Sequence, residues 1–377
     1  MFIPLMTLLP MLLFTFNASA VTPVSVPTAP ATIPITISAS TMEPHTMWGG
    51  TVMMQPGFSI SVYASGLGNP RFMAFRPSDG LLFVTDSGGH IYTVVQGGTP
   101  QLFAGDMQLP SSIAFRGDYI YVGETSQISR YYAPNNATVP DGPKEIIIPN
   151  LPSSGYHWTR TVAIGPDDKL YVAVGSDCES CEEDDNRRGA ISVYDLDGSN
   201  GRLYATGMRN PVGIAWQPGT NQMWVTNNEN DETGDDYLTS VTDGTFYGWP
   251  YCYQQTPNAH YSDATRCASV PSYAQPLGGH STPLGITFGD KFAAPPAYQQ
   301  SIYVAEHGGY ENGTGYRVMR IPVVNGKAGK PVDFAVGWRV SDSNVWGRPV
   351  GVTVGPDGAL YITDDMKGML YRIVATP

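Results

Sequence analysis

Basic residues are scarce in this sequence. Only 21 Lys and Arg stand against 33 Asp and Glu over 377 residues, giving a net charge of -12 and a pI of about 4.8. Nucleic acid demands a basic face for its phosphates, so this balance speaks against it as a partner. Anchoring to an anionic membrane surface is disfavoured on the same ground. Long apolar runs are missing beyond the first 20 residues, and nothing later is long enough to cross a bilayer. A sustained 3.6-residue period is almost absent too, which argues against a helical fold. What the chain has in quantity is turn formers and aromatics: 42 Gly, 32 Pro, 22 Tyr and 7 Trp. That much aromatic surface must be buried or serve as a platform, which excludes disorder. The length allows two or three average domains, or one large all-β unit.

Residues 1–20 contain the apolar run Leu8 to Phe16 followed by Ala18-Ser19-Ala20, the pattern of a signal peptide cut before Val21, although the usual basic start is missing. Residues 21–45, rich in Pro, Thr, Ser and Ala, read as a flexible leader, and residues 46–377 as the folded domain. The expected location is extracellular. Only four cysteines occur, as the close pairs Cys178/Cys181 and Cys252/Cys267, and an exported chain predicts two local disulfides. A redox or zinc reading of Cys178-Glu179-Ser180-Cys181 suits an acidic loop without a second ligand pair poorly. Asn136 and Asn312 head glycosylation sequons.

One pattern recurs: turn residues, a short aromatic and β-branched run, then a polar or glycine turn. Its copies are Arg76–Val84, Arg116–Val122, Gly165–Val172, Gln217–Val225, Ser301–Val304 and Gly355–Ile362. Their spacing fits four-stranded blades with variable loops, so the expected fold is all-β, a six-bladed β-propeller closed by pairing the chain ends. A sandwich is the weaker alternative. The long gap between Val225 and Ser301 predicts an insertion, carrying the second cysteine pair, that shapes a rim.

Four polar features stand where such strands begin or end. They are His157, the pair Arg209-Asn210, the amide and acid loop Asn227 to Asp236, and Arg348 in Trp346-Gly347-Arg348-Pro349. Singly, each has an ordinary reading: a structural histidine, an arginine paired with a carboxylate, a solvated turn or a surface calcium site. Together they suit a polyanionic ligand clamped by guanidinium groups, a hard cation on oxygen ligands, and a histidine that takes a proton from a hydroxyl.

The ordered set His157-x-x-Arg160, Arg209-Asn210, Gly234-Asp235-Asp236, Tyr247-Gly248-Trp249-Pro250 and Gly347-Arg348-Pro349 resembles the glucose/sorbosone dehydrogenase family of PQQ-dependent quinoproteins. Within it, the chain most resembles secreted fungal pyranose dehydrogenases, over almost the whole mature length. The resemblance implies His157 as catalytic base, with Arg209, Asn210, Arg348 and, less directly, Arg71 as PQQ contacts. It implies Glu229, Asn230 and Asp231 as the calcium loop. Soluble bacterial relatives carry a lysine after the fifth copy. Here the segment reads Ala305-Glu306-His307-Gly308-Gly309, so His307 becomes the candidate contact; His280 is a further histidine that could point inward. The implied reaction is oxidation of a pyranose at its C1 hydroxyl to a lactone, with Trp158, Trp249 and Trp346 as candidate sugar platforms. No Cys-x-x-Cys-His haem motif occurs, so the expected acceptor is external: a cytochrome domain protein, a copper oxygenase or a small quinone. A monomer is expected. Two rivals are a calcium-dependent, lactonase-like propeller hydrolase and a non-catalytic glycan- or protein-binding propeller. The two arginines speak against the first, and His157 together with them against the second.

Overall fold

The computed structural model describes residues 42–376, except 48, 230–233, 262, 273, 274 and 310–313. The signal peptide, nearly all of the leader, and the sequon at Asn312 lie outside the described residues.

Each copy of the sequence repeat becomes the second strand of a separate sheet. The reason is local and is clearest in copies three and six, which share Gly-Pro-Asp-x-x-Leu-Tyr. Asp167 Oδ1 accepts from the Lys169 N–H at 3.3 Å, and its other oxygen accepts from Tyr171 Oη at 2.9 Å. Asp357 does the same with Ala359 (3.1 Å) and Tyr361 (3.0 Å). The aspartate thus closes the hairpin turn and fixes the tyrosine that follows. The strands are short and buried on both faces, as in Leu82–Asp86 and Leu170–Val174.

Among the described residues the arrangement is an all-β propeller, with two helices of four residues each. Five sheets have blade form, with four or five strands. The last closes as expected, Phe58–Ser65 from the start of the domain pairing antiparallel with Met369–Ala375 at its end. The expectation of six blades needs correcting: five are found among the described residues, and the sheet that carries the fifth copy has seven strands instead. Glu43–Met47 and Gly50–Met54 form a hairpin, and Gly50–Met54 pairs with Val332–Val336 at that sheet's edge. A segment assigned in part to a flexible leader is therefore a strand, because an exposed sheet edge offers it a backbone partner.

First strands pack against one another in series around a common axis. Two devices let them approach. Threonines at second strands reach across to the next sheet: Thr226 Oγ1 donates to the Leu284 carbonyl (2.9 Å) and Thr363 Oγ1 to that of Arg71 (2.6 Å). Glycine supplies the clearance, since a Cβ at Gly213 would lie 2.3 Å from the Leu284 carbonyl oxygen. Large side chains fill the space between sheets, with Phe83, Trp224, Tyr303 and Tyr371 fully buried. Each contributes roughly 1.5–3 kcal/mol of burial.

Both disulfides form as paired in the sequence, Cys178–Cys181 and Cys252–Cys267. No helix of the described residues is long and apolar enough to cross a membrane.

Candidate functional site

In four of the sheets a residue at or before the first strand is held by a side chain at or next to the end of the second. Asp86 Oδ1 accepts from the Asn69 N–H (3.0 Å), Glu124 from Gln108 (2.8 Å), Asn227 Oδ1 from Asn210 (3.0 Å) and Asp364 Oδ1 from Arg348 (2.9 Å). A side-chain acceptor at the same point of three separate sheets thereby presents Asn69, Asn210 and Arg348 to one end of the propeller.

There they line a cavity of about 650 Å³, together with His157, Arg71 and His307. A smaller cavity, about 290 Å³, shares His157 and Asn210 with it and is also lined by Arg209, Glu179, Glu229 and Asp236. Five of the sequence candidates thus meet at the larger space. Arg209 and Glu229 belong to the smaller one, and Asn230 and Asp231 lie outside the described residues.

His157 is half-buried, and its Nδ1 lies 2.9 Å from the Ser176 carbonyl oxygen. That contact makes Nδ1 the protonated nitrogen and leaves Nε2 with the lone pair. Ser176 Oγ, 3.1 Å from the same nitrogen, donates to the Cys178 carbonyl at 2.7 Å. Burial, then the charge of Arg209, pushes the His157 pKa down to about 3, against the opposing pull of the Ser176 carbonyl. The ring is neutral at neutral pH.

Arg71 pairs with Asp365 at 2.6 Å and stacks over Trp158 at 5.2 Å, while its Nε is buried without a partner. His307 Nε2 contacts the same carboxylate at 2.9 and 3.1 Å. Burial alone would raise the Asp365 carboxyl, but His307, with Arg71 and Arg348 nearby, holds it below the usual carboxylate range. Burial pushes His307 down, and Arg348 and Arg71 add to that against Asp365. Arg348 donates to the carbonyls of Gly308 and His307 and lies over the Tyr316 ring at 5.3 Å. Among the described residues nothing donates to Asn210 Oδ1, which is buried and so can accept from a ligand N–H or O–H.

Arg209 is differently disposed. Its guanidinium bonds the Glu179 carboxylate, the Glu179 carbonyl (3.3 Å) and the Glu229 carbonyl (2.9 Å). The Glu229 N–H donates to Asp236 (2.9 Å), whose carboxyl burial raises to about 6. His280 lines the smaller cavity, in a left-handed conformation with φ 58°.

Of the three tryptophans, Trp158 alone lines the larger cavity. Trp249 is buried and donates to the Glu179 carbonyl, and Trp346 is buried against Trp338. Both are core residues, because their indole N–H groups are satisfied inside. Sequence reasoning missed Asp365, Ser176 and Gly175. A Cβ at Gly175 would lie 2.4 Å from Asn210 Oδ1 and 2.6 Å from His157 Cβ, so only glycine fits beneath the pair. The doubled Asp364-Asp365 ending the sixth copy was the available signal.

This architecture recurs in solved structures. The holo form of the pyranose dehydrogenase PQQ domain from Coprinopsis cinerea superposes with a TM-score of 0.75 at 20% identity, over 86% of this chain and 97% of that one. A Trichoderma reesei protein of carbohydrate-active enzyme family AA12 gives 0.74 at 18% identity, over 86% and 98%. In sequence, the quinoprotein glucose dehydrogenase B of Acinetobacter calcoaceticus is 24% identical over 298 residues, 63% of this chain and 61% of its own. Residues 52–376 match the TrAA12-like family, and the chain belongs to it.

Proposed function

We propose that the protein is a secreted, PQQ- and calcium-dependent sugar dehydrogenase that oxidises a pyranose at its C1 hydroxyl to the lactone. The observation that carries this reading is one cavity lined by His157, by two guanidinium groups, Arg71 and Arg348, and by the donorless oxygen of Asn210. Two of the proteins named above support it by name, the pyranose dehydrogenase PQQ domain and the quinoprotein glucose dehydrogenase B.

The residues present fit a polycarboxylate quinone. Arg348 and Arg71 suit its carboxylates, and the Asn210 carbonyl suits a ring N–H. His307 lies beside Arg71 and Arg348, in the position where the lysine of bacterial relatives is missing. Arg209 reaches the ligand only by sharing or releasing Glu179. The Glu229 carbonyl, with Asn230 and Asp231, is the candidate calcium loop; a carbonyl oxygen has a second lone pair beyond the one facing Arg209. When bound, PQQ supplies the two-electron acceptor and calcium the Lewis acid that polarises it.

The chain's own task is proton transfer and alignment. His157 Nε2 takes the C1 hydroxyl proton, and the Ser176 carbonyl fixes the tautomer and ring plane. A ring held near pKa 3 keeps its lone pair at any neutral pH. It becomes a stronger base when an anionic ligand offsets Arg209, one of the charges that lower it. Trp158 offers an apolar face for the sugar. Electrons leave to an external acceptor, a cytochrome domain protein, a copper oxygenase or a small quinone.

The test is to titrate PQQ with calcium into the purified chain and follow bound-quinone absorbance on adding sugar. Bleaching supports the reading. His157→Ala should keep quinone binding and lose about 10²–10⁴ in turnover. Unchanged turnover would remove the base, and no bound quinone would reject the class.

A further inference from the structure

The ion pair between Arg209 and Glu179 stands apart from the others at this end of the propeller. Arg209 is deeply buried, with 6% of its side chain exposed, whereas the Glu179 side chain keeps 35%. The arginine is held in place, with Nη1 tied to the Glu229 carbonyl and Nε to the Glu179 carbonyl. The Glu179 side chain meets solvent on its exposed face. Its backbone, by contrast, is fixed. The Cys178–Cys181 bridge closes the loop, Trp249 Nε1 donates to the Glu179 carbonyl at 3.3 Å, and Asn258 Nδ2 to Ser180 Oγ at 3.0 Å. A carboxylate is thus presented to Arg209 by a tied loop, on a side chain that keeps 35% of its surface exposed.

We propose that Glu179 is an intramolecular stand-in, occupying on Arg209 the place that a ligand carboxylate takes, and so sets the affinity of the site for polyanions. The inference rests on the reading of Arg209 as part of the cofactor site. A guanidinium buried this deeply needs a countercharge when the ligand is absent, and Glu179 supplies it. The incoming carboxylate then replaces a like group, with no interval in which Arg209 is bare. The affinity cost is that every anion competes with a tethered carboxylate, whose effective concentration reaches the millimolar range or above. Calcium, by attracting the displaced carboxylate, would relieve that competition, so cation and anion should bind with positive linkage.

The experiment compares wild type with Glu179→Gln, which keeps the side-chain shape and the disulfide loop but removes the charge. PQQ affinity is measured from quinone absorbance, with and without calcium, and benzene-1,3,5-tricarboxylate affinity from tryptophan fluorescence. Asp243→Asn, at the exposed Arg202–Asp243 pair, controls for the change in net charge. Glu179→Gln should bind both anions about ten-fold tighter, a change of about 1.4 kcal/mol, and should gain less from calcium than wild type does. Equal or weaker binding relative to wild type overturns the proposal, as does the same gain in Asp243→Asn. If wild type binds the tricarboxylate but not PQQ, and the variant binds the tricarboxylate more tightly, Glu179 keeps its role and the quinoprotein reading falls. If neither probe binds the variant, the stand-in role falls. A variant that fails to fold, by circular dichroism, is replaced by Glu179→Asp, whose shorter reach should give a smaller gain in the same direction; no gain overturns the proposal.

Discussion

The protonation state of His157 can be read from stability alone, without cofactor or substrate. Its pKa falls from an ordinary 6.5 to about 3 through burial and then Arg209. An unfolded histidine takes up a proton below 6.5, whereas the folded one resists until about 3, so within that window the unfolded state holds more protons. The contribution of this group is therefore complete above pH 6.5 and is lost as pH falls toward 3. At about 1.4 kcal/mol per pKa unit the full loss is about 5 kcal/mol. The half-buried ring keeps some contact with water, so a loss of about 2 kcal/mol by about pH 4 is the expected size.

Two buried acids act with the opposite sign. Burial raises Asp236 to about 6 and Glu306 to about 7. Their contribution is present below the unfolded carboxyl range and is lost as pH rises through those values. A single pH–stability curve therefore mixes signs, and comparison with His157→Gln cancels the acids. Urea unfolding of both proteins at about pH 7.5 and about pH 4 gives the two free energies. The advantage of wild type over the variant should shrink by about 2 kcal/mol toward acid. An advantage that stays constant across that range would refute a buried neutral imidazole, and with it the lone pair on which the proposed proton transfer depends.

Asp365→Asn strips the shared carboxylate from Arg71 and His307. Breaking a buried pair costs about 3–5 kcal/mol, and partial exposure of Asp365 reduces this to about 2 kcal/mol, measurable by calorimetry. The same change removes the one upward pull on His307, so its imidazole should titrate lower by NMR. Gly175→Ala pushes a methyl into Asn210 and His157; overpacking of about 1–3 kcal/mol is expected, along with a loss of kcat/KM larger than the loss of quinone affinity. Replacing Cys252 and Cys267 by Ala opens a bridge across a sequence separation of 15 and should cost about 3 kcal/mol in denaturant unfolding.

Much of the fold was legible because the repeat encodes its own turn. Gly-Pro-Asp-x-x-Leu-Tyr closes a hairpin through bonds that span only a few residues, so each second strand could be found from local pattern. Closure of the ring was legible too, since Phe58–Ser65 had to pair with something and Met369–Ala375 ends the chain's last repeat. The hairpin Glu43–Met54 was not. Its partner, Val332–Val336, comes from the far end of the chain, and an edge strand of mixed polarity carries no alternation that separates it from a polar leader. Tertiary pairing, not propensity, makes it a strand.

The site was legible to the extent that its residues precede strands, and opaque wherever orientation depends on a remote carboxylate. Arg348 and Asn210 face the cavity because Asp364 and Asn227 hold their N–H groups, and those acceptors sit one hairpin away at a repeating position. Arg209 adjoins Asn210 in sequence, yet its guanidinium is directed to Glu179, 30 positions earlier on a disulfide loop. Nothing in Gly207-Met208-Arg209-Asn210 foretells that partner. The same holds for Arg71 and Asp365, which come from the first and last repeats and meet only because the ring closes. A ring converts the largest separations in the chain into contacts between neighbours, so a reading by segments finds the cations of such a site before it finds what balances them. The balancing carboxylates are Glu179, on Arg209, and Asp365, on Arg71; on the proposed reading a ligand carboxylate competes with them. Substitutions at those two acids should therefore move affinity for anions as much as substitutions at the arginines themselves.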